Sequence, residues 1–162
     1  MKRLIELDGR QVMFEATADT LRVYREEFGE DMLKALADPE RIVETIERLA
    51  FVMAHGEGFT NIDEWKKGLN DRMAIFIAAE PILSFWNESM TTTVTPMKEG
   101  DAVSRPNTTA LLLLRALQLG LSMEDLKLVT VGMVIDMMIE RGNDDYDWPK
   151  MATQSDFDAF RG

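Results

Sequence analysis

The chain begins with alternation. "LIELDGRQVMFEA", residues 4–16, sets two short runs of alternating apolar and polar residues around Asp8-Gly9. A two-residue primed turn needs positive φ, which Gly supplies and Asp tolerates, so the pattern predicts a β-hairpin with strands over 3–7 and 11–15. After "TADT" the period lengthens: Leu21, Tyr24 and Phe28 recur at i, i+3 and i+7, and Gly29 follows as a stop, which predicts a helix over 19–28. "EDMLKALAD" reads as a second, shorter helix. Asp38-Pro39 has the form of an N-cap and first-turn pair for a longer one, with Ile42, Ile46, Leu49, Ala50 and Met53 on one stripe and an end near His55-Gly56.

"FTNIDEWKKGL" reads as a loop that feeds a short helix through Asn61 or Asp63. Met73, Phe76 and Ile77 open another helix towards Trp86, and Pro81 predicts a kink or break in it, because proline removes an intrahelical donor and clashes with the preceding turn. Periodicity then lapses over residues 89–107, "SMTTTVTPMKEGDAVSRPN". Beyond it come a leucine-rich helix capped by Thr108 or Thr109 and ended by Gly120, and a Ser122-x-x-Asp125 capping box. Val131, Val134, Ile135 and Met138 form a further stripe ending at Gly142-Asn143, and a last turn from Thr153 carries Phe157 and Phe160. The expected class is mainly α with a small N-terminal β-hairpin (α+β): a hairpin and helical domain over 1–88, a linker over 89–107 and a smaller helical segment over 108–162.

Charge narrows the partners. A net charge of −11 repels phosphate backbones and anionic lipid, so neither nucleic acid nor a membrane is expected as a partner. The apolar run "ALLLLRALQLGL" is short and broken by Arg115, too little for a bilayer crossing, and the N-terminus lacks the apolar core of a signal peptide. Cysteine is absent, which removes disulfides and thiolate metal sites and fits a reducing cytoplasm. Twelve methionines are several times average usage. Their flexible thioethers suit an irregular core or a surface that accepts several partner shapes.

Candidate chemistry is sparse. His55 is the single histidine, at a predicted helix end, so no second imidazole completes a relay or metal site. No serine sits in a nucleophile elbow, and the glycines form no phosphate-cradling loop. Asn143, Asp144, Asp145 and Asp147 suggest a calcium loop, but the helix-loop-helix spacing would need glycine where Trp148 stands and a bidentate acid at Gln154, so the stretch reads as a solvated loop. Trp65, Trp86 and Trp148 read as buried structural residues. No catalytic, cofactor or metal residue is assigned. Met133 and Met137 fall off the Val131 stripe, leaving that helix apolar around much of its circumference. The candidate partner-binding residues are therefore Met133, Met137, Asp144, Asp145, Tyr146 and Trp148.

Three stretches, "FEATADTLRVYREEFGEDMLKALAD", "NIDEWKKGL" and "PILSFWNESMTTTVTP", resemble the tail assembly chaperones of long-tailed bacteriophages and prophages of Gram-positive bacteria, over residues 3–96. The later "LVTVGMVID", "NDDY" and "ATQSDF" resemble the companion segment at the C-terminal side of the same tail genes. In that family the longer form arises by programmed ribosomal frameshifting, and this chain resembles that fused form, with its junction near residues 90–107. The resemblance implies a non-enzymatic protein without cofactors. It would bind the tape measure protein through residues 1–88, keep it soluble, and recruit major tail protein subunits through residues 108–162. A possible homo-oligomer, a host-cytoplasmic location and absence from the mature virion go with it. The rival reading is a structural tail completion or connector protein of the virion.

Overall fold

The computed structural model describes residues 1–71, 73–97, 106–147 and 159. It is mainly helical with an N-terminal two-stranded antiparallel hairpin, as the patterning predicts. Strands β1 (Lys2–Leu7) and β2 (Arg10–Glu15) pair with Leu7 opposite Arg10, and Asp8 (φ 55°) and Gly9 (φ 73°) make the turn. Ile5, Leu7, Val12 and Phe14 point into the core while Leu4 and Met13, a cross-strand pair, face outward. The hairpin tip is fastened far along the chain: the Asp8 carboxylate accepts the N–H groups of Asn70 (2.7 Å) and Asp71 (3.0 Å), which hold its pKa below the ordinary range.

Helix α1 (Asp19–Phe28) ends on Gly29 at φ 69°, and α2 (Met32–Leu36) is capped by Asp31, whose Oδ1 accepts from Leu33 and Lys34. The central helix α3 (Ile42–Met53) corrects the expectation that it begins at Asp38-Pro39. Asp38 Oδ1 instead accepts the Glu40 N–H two residues on, and the Arg41 N–H bonds the Asp38 carbonyl. The aspartate thus makes a local turn before the helix starts. A 3-10 turn over His55–Gly58 follows, in which Glu57 (φ 47°) accepts from the Trp65 indole (2.9 Å) and Arg10 (3.0 Å). Asn61 caps α4 (Ile62–Lys67) through Glu64 N.

The expected interruption near Pro81 is a true break, but it lies at Ala78, between α5 (Ala74–Ile77) and α6 (Ala79–Met90). Pro81 then occupies the first turn of α6, where its missing N–H costs no internal bond. Met73, Phe76 and Ile77 do not form a buried stripe: they are exposed, and Ala74, Ile75 and Ala78 are buried in their place.

After Met90 the chain runs extended beside α8 (Val131–Asn143). Asp136 accepts from Thr93 N, Thr93 Oγ1 and Val94 N, and the buried Asn143 amide takes the Met97 N–H and donates to the Thr95 carbonyl. Helix α7 (Thr109–Gln118) is capped by Thr108 and closed by Gly120 at φ 90°, with Leu121 N bonded back to Ala116 O and Gly120 N to Leu117 O, a Schellman closure. Ser122 and Asp125 cap each other reciprocally at the head of a 3-10 turn over Asp125–Lys127.

One hydrophobic cluster takes side chains from the hairpin, from α1 to α8 and from the Asp125–Lys127 turn. Phe14, Tyr24, Trp65, Phe85 and Trp86 share it with Ala116, Leu126, Val131 and Val134. Two hydrogen bonds reinforce the joint: Ala18 N donates to the Val129 carbonyl (2.8 Å), and Thr109 N to the Asp31 carboxylate Oδ2 (2.8 Å). Among the described residues no helix is long and apolar enough to cross a membrane.

Candidate partner-binding surface

The candidate surface is set by how α8 is held. Thr130 Oγ1 accepts from Met133 N and fixes the first turn. Val131, Gly132 and Val134 are buried, and Gly132 passes so close to the end of α6 that a Cβ there would lie 2.0 Å from the Thr91 carbonyl oxygen. With that face committed, helical geometry turns Met133 and Met137, one turn apart, to the outside, where they are 50% and 37% exposed.

Asp144 lies on the same face as Met137, two turns further along. Asp144 and Asp145 are exposed and Tyr146 is half-buried, its N–H bonded to the Asn143 carbonyl (2.9 Å). Trp148 lies outside the described residues, as do the predicted last turn and the "ATQSDF" stretch. Asn143 does not belong to a solvated loop as the sequence suggests. It is the last residue of α8, 3% exposed, with its amide turned onto the 95–97 segment. Its oxygen accepts the Met97 N–H. Among the described residues, no group of three or more His, Cys, Asp or Glu side chains is placed to hold a metal ion.

His55 is exposed, with Nε2 3.1 Å from Glu15 Oε2 on β2. A charged cluster around Glu30 is structural. Glu30 accepts from the Tyr24 hydroxyl and pairs with Arg41 and Arg48, joining the α1–α2 turn to α3. Burial and the Glu30 carboxylate push the Tyr24 phenol up to about 12.

Apolar exposure extends beyond the residues that sequence reasoning selects. Leu114 and Leu117, at i and i+3 on α7, are 48% and 46% exposed, and Leu128, which follows the 3-10 turn, is 80% exposed. An unbroken leucine run gives no periodic cue to its outward face, which is why Leu114 does not stand out in the sequence. Comparisons of the chain with protein-family models, with curated proteins and with solved structures each return no match.

Proposed function

We propose that this chain is a tail assembly chaperone of a long-tailed bacteriophage or prophage, in the long fused form. It binds the tape measure protein before assembly, keeps it soluble, and recruits major tail protein subunits as the tube grows. One observation carries the reading. Among the described methionines only Met32 and Met53 are buried, whereas Met1, Met13, Met73, Met97, Met123, Met133 and Met137 are exposed. A methionine-rich protein that keeps most of these side chains out of its core holds an adaptable apolar surface in water, which suits a client with varied helical stripes. The charge of −11 keeps the coated complex soluble. The segments that resemble the family in sequence supply the client's identity.

Co-expression with the tape measure protein of the same phage should raise that protein's soluble yield, and the two should co-purify. Met133→Gln with Met137→Gln, made in the full chain, should weaken capture of major tail protein while leaving stability within about 0.5 kcal/mol. The chaperone acts in the host cytoplasm, so mass spectrometry of purified virions should not find it. Unchanged client solubility without co-purification, or stoichiometric recovery from virions, would sink the proposal, and the second result would favour a tail completion or connector subunit.

A further inference from the structure

Two hollows meet between α7 and α8. The first, about 450 Å³, takes Leu33 of α2, Leu112 of α7 and Ile135 and Met138 of α8 into its lining, all partly buried apolar side chains packed on the core. The second, about 520 Å³, continues from it, because Arg115 and Met138 line both, and it ends at Arg141.

The arginines are unusual for this chain. Arg115 donates to Gln118 Oε1 (2.8 Å) and Arg141 to the Gln118 carbonyl (2.5 Å), which gathers both guanidinium groups round one residue at the end of α7. The second bond satisfies a terminal helix carbonyl, a structural role, but it uses one of five donors. Arg3, Arg10, Arg22, Arg41 and Arg48 each hold a carboxylate. Arg115 and Arg141, like Arg25, hold none among the described residues. Two exposed cations that hold no carboxylate among the described residues, at the mouth of an apolar groove on a protein of net charge −11, form a local complement to carboxylates. The overall field disfavours a long polyanion such as nucleic acid, so the ligand must couple a few carboxylates to an apolar stretch.

We propose that this groove binds an amphipathic helix of a protein partner, whose apolar side chains lie between α7 and α8 and whose one end presents carboxylates to Arg115 and Arg141. The binding mode is helix-in-groove, with the arginines setting register and direction.

A pooled library of stapled helical peptides tests this without any phage protein, so its outcome is separate from that of the chaperone reading. Apolar residues stand at i, i+4 and i+7, and the positions at either end are randomised among Glu, Gln and Lys. Against the immobilised full chain, Glu should be enriched at one end, and the best binder should lose affinity about tenfold when those Glu residues become Gln. The double variant R115Q/R141Q should bind the Glu and Gln forms equally. R115Q alone, which leaves the Arg141 bond to the α7 carbonyl intact, should already cut the preference about threefold with an unchanged melting temperature. Met138→Gln should weaken both forms together. Absence of any binder, enrichment of Gln or Lys, or a Glu preference that survives in R115Q/R141Q would overturn the proposal. So would a wild-type dimer that becomes monomeric in Met138→Gln, since a second copy would then occupy the groove.

Discussion

Gly132 is the residue whose substitution should be most revealing. Alanine normally favours a helix over glycine by about 1 kcal/mol. Here a Cβ would stand 2.0 Å from the Thr91 carbonyl oxygen and 2.8 Å from its carbon, both backbone atoms that cannot rotate away. Overpacking wins, and Gly132→Ala should lower the unfolding free energy by about 1–3 kcal/mol in urea titration. A variant as stable as the parent would mean that α8 does not approach α6 so closely. Gly142, which the sequence offers as the end of this helix, would place its Cβ in open space, whereas nothing in the sequence marks Gly132 as a point of close approach. Some local devices are legible where both partners lie within three residues: the sequence offers Asn61 or Asp63 and Thr108 or Thr109 as caps, of which Asn61 and Thr108 serve, and the reciprocal Ser122–Asp125 pair. Asp136 and Asn143 are not, because Thr93 lies 43 residues from the first and Met97 46 from the second. In Asp136 desolvation pushes the pKa up, but the N–H groups of Val94 and Thr93 and the Thr93 hydroxyl outweigh it and hold the carboxyl below its usual range.

At the scale of elements, Glu30 joins the turn between α1 and α2 to α3. Its desolvation raises the pKa, yet the bonds from Tyr24, Arg41 and Arg48 overcome that cost and the net direction is downward. A carboxylate whose folded pKa is depressed adds stability that is full above its unfolded value and is lost as pH falls through the folded one. Glu30→Gln should therefore cost about 1–2 kcal/mol near neutral pH, discounted for the partial exposure of Arg41. The gap to the parent should close as pH drops below the ordinary glutamate range. Thermal melts across that range check both the size and the direction, and a gap that widens in acid would contradict this assignment. Helices long enough to repeat their stripe, such as α3, are readable from periodicity because several turns vote for one face. The four residues of α5 make a single turn, and its neighbours then decide what is buried. Ala74, Ile75 and Ala78 go inward, and Met73, Phe76 and Ile77 stay out.

The whole molecule raises the question of how tightly the segment beyond the aperiodic stretch is bound to the rest. Lost periodicity over 89–107 suggests a joint, but pattern alone carries no information on what packs across it. Leu126 is the sharpest probe. It is fully buried in the 3-10 turn that contacts α1, and it belongs to the same cluster as Trp65 and Trp86. With Ala18 N on Val129 O and Thr109 N on Asp31 Oδ2 fastening the same junction, its loss should be felt throughout. Leu126→Ala removes buried methyl groups and leaves a cavity, an effect of about 2–5 kcal/mol. Made together with Trp148→Phe, so that indole fluorescence reports only Trp65 and Trp86, the substitution should move the fluorescence and far-ultraviolet dichroism midpoints in urea by the same amount, with unchanged slope. Coincident shifts mean that removing a side chain beyond residue 107 destabilises the hairpin and the first six helices as one unit. If dichroism acquired an early phase while the fluorescence midpoint stayed at the parent value, the segment would be unfolding by itself. The partner binding proposed for α7 and α8 could then not be transmitted to the surface formed by residues 1–88.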